Sequence, residues 1–90
     1  MAKAHVDPSE LRRFTSELAR FNNELEGLLG GLHGKLRGLE ASWTDQEQKK
    51  FSENFEGTLK VFGKFLEDSR QHVSTINKKA AIIEEYLKTR

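Results

Sequence analysis

The side chains that could do chemistry in this 90-residue chain are three histidines, 14 carboxylates and 15 Lys/Arg, with no cysteine at all. Metal binding or general acid–base catalysis needs several such groups to converge on one point. His5, His33 and His72 are scattered along the chain and form no local ligand motif. Without cysteine there is no thiolate nucleophile, no thiolate metal site and no disulfide. No Gly-rich phosphate-cradling loop with its lysine is present at the required spacing. Lys49–Lys50 and Lys78–Lys79 are isolated pairs among acids and make poor candidates for a phosphate-tracking stripe. The chain therefore reads as a non-enzyme with no cofactor, no metal and no nucleic-acid partner.

Charge patterning agrees. The formal net charge is +1, with six Lys/Arg against seven Asp/Glu in residues 1–45 and nine against seven in 46–90. The opening "MAKAHVDPSE" has no apolar run that could serve as a signal-peptide core. No stretch approaches the roughly 20 apolar residues of a membrane span. A chain this short suits one small domain, and it is marginal as a monomer because surface outweighs core.

The elements that must position these residues are two long helices. "DPSE" places Asp7 as N-cap, Pro8 at the first helical position and Glu10 three residues after the cap. Apolar residues then follow at Leu11, Phe14, Leu18, Phe21, Leu25, Leu28/Leu29, Leu32, Leu36, Leu39 and Trp43. The steps of three and four contain one extra four between Leu32 and Leu36, a stutter in a heptad. The row spans an arc of about 100°. It continues through "GLLGGLHGKLRG", so Gly27–Gly38 reads as softened helix rather than loop, at about 1 kcal/mol per exposed glycine relative to alanine.

"TDQE" offers Thr44 as the second N-cap, with Glu47 completing a capping box. The second row is Phe51, Phe55, Leu59, Phe62, Leu66, Val73, Ile76, Ala80, Ile83 and Leu87, with Phe65 on its flank. It spans about 120°. The expected architecture is one all-α domain over residues 1–90: helix 1 about 8–41, a turn about 42–44 and helix 2 about 45–87, folded as an antiparallel hairpin. One helix cannot cover the other's stripe, so these residues are expected to be shared between the hairpin seam and a dimer interface. Two hairpins would make a four-helix bundle.

A leaderless helical hairpin of this length, with its only tryptophan at the turn, resembles the WXG family of ESAT-like proteins exported by type VII secretion systems. The likeness covers almost the whole chain, and its motif here is Trp43-Thr44-Asp45, with Asp45 where the family has glycine. An Asp there can cap the next helix or tolerate an unusual backbone angle. The chain ends "YLKTR", so Arg90 stands where an export signal of the Tyr-x-x-x-Asp/Glu kind would have its acid after Tyr86. The resemblance implies a protein secreted without a cleavable signal peptide and cytoplasmic before export. It also implies an antiparallel dimer with itself or a paralogous hairpin, and contact with a type VII membrane ATPase.

Other readings attach to the same residues. Trp43 closes the end of the bundle, or is a recognition element at its tip. Gly27, Gly31, Gly34 and Gly38 give a thin outer face, or a docking groove for a closely approaching helix. Leu25–Leu39 with Lys35 and Arg37 would suit a membrane-active amphipathic protein. An intracellular coiled-coil adaptor or RNA-binding hairpin is the remaining alternative.

Overall fold

The computed structural model describes residues 6–89, and they form two helices joined by a short turn. α1 spans Pro8–Ser42 and α2 spans Gln46–Lys88. The helices run antiparallel: Arg12 meets Glu84 at the open end, and Trp43 meets Phe51 at the turn. There is no strand among the described residues. His5 lies outside them.

α1 begins where the sequence predicts. Asp7 is extended, its carboxylate accepts from the Ser9 N–H at 3.0 Å, and Pro8 occupies the first turn. α2 begins one residue later than its capping motif suggests. The cap is Asp45, not Thr44, and its carboxylate accepts from the Gln48 N–H at 3.0 Å. A charged oxygen is the better partner for the free N–H groups and positive dipole of a helix start, so Asp45 displaces the threonine beside it.

The seam between the helices follows a strict seven-residue beat. Thr15, Asn22, Leu29 and Leu36 on α1, and Ser52, Leu59, Leu66, Val73 and Ala80 on α2, are all buried or half-buried. Taking these as heptad position a, the stutter between Leu32 and Leu36 disappears. The apolar row of α1 instead changes position. In the open half it occupies d and g, as Leu11, Phe14, Leu18, Phe21, Leu25 and Leu28. In the half near the turn it occupies d and a, as Leu32, Leu36, Leu39 and Trp43. Phe14, Phe21 and Leu28 are therefore not in the hairpin seam, where Thr15, Asn22 and Leu29 stand instead. They remain 56%, 49% and 72% exposed.

α1 runs unbroken through Gly27–Gly38, and no glycine of the described residues has a positive φ. A Cβ added at Gly31 or Gly34 would meet nothing within 4 Å. Changing both to Ala should therefore stabilise the fold by about 1–2 kcal/mol, read as a higher thermal midpoint, because each exposed helical glycine costs nearly 1 kcal/mol. A lower midpoint would mean that the helical backbone here is wrong.

Candidate functional site

The heptad frame sorts the surface into two unlike flanks. In an antiparallel pair, positions e of both helices line one side of the seam and positions g the other. The e flank is polar and cross-linked. Arg12 donates twice to Glu84, from Nε at 3.0 Å and from Nη2 at 2.9 Å. Arg70 donates to Glu26 at 2.9 Å and to Asn23 at 3.0 Å, and His33 Nε2 lies 3.2 Å from Glu56. Glu56 and Glu84 each have a lysine four residues further along their own helix, Lys60 and Lys88. Both acids instead reach across to α1, Glu84 because a guanidinium fork matches its two oxygens better than an ammonium can.

The g flank carries the apolar side chains. Phe21 and Phe65 meet across it edge to face, ring centroids 6.4 Å apart. Beside them stand Phe14, Leu28, Phe51 and Tyr86 at g and Val61 and Ile82 at the adjoining c positions, all exposed. Leu32, Leu39, Phe62 and Leu87, on the d and a edge, are also partly exposed. On the described helices, every exposed large apolar residue falls at c, g, d or a, and none at e, b or f. These four positions are contiguous on the helix and span about 160°, well beyond the seam and to one side only.

Near the turn the flank ends in a shallow groove of about 180 Å³, lined by Leu32, Lys35, Leu36, Leu39, Phe51 and Phe55. Lys35 is its only charged lining residue. Trp43, extended and half-buried, closes α1 by donating its N–H to the Leu39 carbonyl at 2.9 Å. Its indole packs on Phe51 at 5.8 Å, and Phe51 stacks on Phe55 at 5.6 Å. Asp45 has φ −87°, so it serves this turn as a cap and not as a residue with a glycine-like backbone.

The remaining interface residues from the sequence split by depth. Leu36 and Leu66 are buried, while Leu11, Leu18, Leu25, Phe55, Leu59, Val73, Ile76 and Ile83 are half-buried along the seam. Gly27, Gly31, Gly34 and Gly38 lie at f and c, facing open space. Thr15, Asn22, Ser52 and Ser69 are seam residues that apolar periodicity missed; Thr15, Asn22 and Ser52 continue the seven-residue a rows of their helices, and Ser69 stands at d. Among the described residues no group of His, Asp and Glu could hold a metal ion. Among the described residues no helix is long and apolar enough to cross a membrane.

In comparisons with known proteins, no family model, no curated protein and no solved structure matches the chain.

Two predictions follow from this geometry. Trp43→Ala should cost about 1–3 kcal/mol in denaturant unfolding, less than a fully enclosed tryptophan, whose loss can reach about 5. The second concerns acid. Hydrogen bonds from Arg12 and Arg70 hold Glu84 and Glu26 below the usual carboxylate range, and the Ser9 N–H does the same for Asp7. A depressed carboxylate stabilises the fold above its unfolded value, about 4.3 for Glu. That contribution is lost as pH falls through the folded value. The melting temperature should therefore drop below about pH 4, and Glu84→Gln should flatten the drop. Because these groups are exposed the effect is small, and added salt should weaken it.

Proposed function

We propose that this chain is a small export-associated protein of the WXG type, acting by protein–protein contact as a dimer of helical hairpins in a four-helix bundle. The apolar g flank is the observation that carries the reading. Only Leu36, Leu66 and Ala80 are buried apolar residues of the described hairpin, against four buried polar ones. Burying a large side chain yields about 1.5–3 kcal/mol, while ordering the backbone costs about 1–2 kcal/mol per residue. So thin a core argues for a second source of burial. The exposed parts of the flank residues amount to about 1,000 Å² per chain, taking roughly 200 Å² for each whole side chain. A standard interface needs about 800 Å² from each partner.

The natural occupant is a second copy, or a paralogous hairpin with the same flank. Rim charges favour a head-to-tail second copy: Glu10, Glu17 and Glu24 edge the open half of α1, and Lys35 stands in its turn half. Side by side, like charges would meet. The turn with Trp43 remains at the tip of such a dimer, where a secretion ATPase could read it. The same contact-only role leaves no substrate and no cofactor to assign. In this reading the protein is cytoplasmic before export and secreted without a cleavable leader.

Light scattering at micromolar concentration should give a dimer. Phe14→Glu combined with Leu28→Glu should give a helical monomer, because neither side chain lies in the seam and both would carry unpaired charge into the interface. A dimer that survives this change uses another surface. Cysteines can be introduced without background, so Lys35→Cys should link to Glu17→Cys of another copy and not to itself. For export, inactivating the type VII ATPase of the native host should abolish secretion, and Trp43→Ala should reduce it beyond any loss of folded protein. Secretion that persists without the ATPase, or a protein never exported, would overturn the assignment. Leakage from anionic liposomes would move the flank's role to a membrane surface.

A further inference from the structure

Asn22 is the largest side chain fully hidden among the described residues, and it is an amide in a row that continues toward the turn with Leu29 and Leu36. Its Oδ1 accepts from the Ser69 hydroxyl at 2.9 Å, while its Nδ2 is buried with no partner. One heptad toward the open end the pattern repeats. Thr15, 3% exposed, donates to Asn77 Oδ1 at 2.7 Å and shares its hydroxyl with the Arg12 carbonyl at 3.0 Å. Leucine or valine at these positions would bury more apolar area and strand no amide. Stability alone does not account for them.

Asn22 meets the Ser69 hydroxyl at only one axial setting of α2. Slide α2 by one heptad and Asn22 faces Phe62 or Ile76 in place of Ser69, neither of which can accept or donate, while Thr15 exchanges Asn77 for Arg70 or Glu84. Replace α2 by the α1 of another copy and Asn22 meets a leucine-rich row. Either error takes the Ser69 hydroxyl away from the buried Asn22, at a cost an apolar seam does not impose. A single buried asparagine at position a is a known means of fixing register in paired helices.

We propose that the Asn22–Ser69 layer, with Thr15–Asn77 beside it, is a pairing code that admits only α2, in one register, to the seam of α1. The leucine-rich helices of other copies are thereby confined to the outer flank. The code belongs to the hairpin seam and does not depend on what occupies that flank.

The test is a variant with both layers made apolar: Thr15→Val, Asn22→Leu, Ser69→Ala and Asn77→Leu. It should melt at least about 4 °C higher than the parent and lose register. Cysteine pairs report register directly, since Glu26→Cys with Arg70→Cys sits in the observed setting and Glu26→Cys with Gly63→Cys sits one heptad away. In the parent only the first pair should oxidise rapidly within a chain. In the apolar variant the second should oxidise at a rate within about tenfold of the first. An exchanged layer, Asn22→Ser with Ser69→Asn, should behave as the parent. The proposal is overturned if the apolar variant keeps the single observed register, if it melts lower than the parent, or if the exchanged layer loses register.

Discussion

The whole hairpin depends on where the apolar row of α1 points. A helix has one row of leucines and phenylalanines to spend, and here it changes position between Leu28 and Leu36. Near the turn the row faces α2 and makes the buried contacts around Leu36. In the open half it faces outward, and Phe14, Phe21 and Leu28 leave the seam to Thr15 and Asn22. The exposed flank and the polar interior are thus one fact seen from two sides. A side chain cannot fill the seam and the flank together, because adjacent heptad positions diverge by tens of degrees.

The two flanks then divide the work. Ion pairs on the e side are exposed and individually weak, so their contribution lies in alignment more than in stability. Arg12–Glu84 ties the open ends together and Glu26–Arg70 repeats the tie along the rod, with the half-buried His33–Glu56 contact nearer the turn. They also place charge along the side that faces away from the aromatics. The hairpin in this way presents one polar side and one apolar side, although neither helix is simply amphipathic about the seam.

Much of this was legible in the sequence because helices announce themselves by period and caps. The row from Leu11 to Trp43, the Asp7-Pro8 start and the brevity of the link at Trp43 suffice for an antiparallel hairpin. The in-phase leucines also carried the reading of helix through Gly27–Gly38. What periodicity could not tell was which side of the row faces α2. Apolar patterns mark only apolar residues, so a seam position filled by Asn22 or Ser69 leaves no hydrophobic trace. Partner choice was equally hidden: Glu84 has a lysine four residues on, and only the fold brings Arg12 within reach. At the turn, Thr44 and Asp45 both have capping oxygens, and the competition between neighbours is settled by charge and backbone direction.

The strict heptads keep two long helices in contact along their length, and the backbone extends 68 × 22 × 14 Å with a radius of gyration of 20.2 Å. A compact globule of this length would have a radius of gyration near 12 Å, and so a diameter of about 30 Å in every direction. The hairpin trades that evenness for a narrow cross-section. Moving lengthwise, its folded backbone fits an aperture that would stop a sphere of equal mass, and it could traverse such an opening without first being pulled apart.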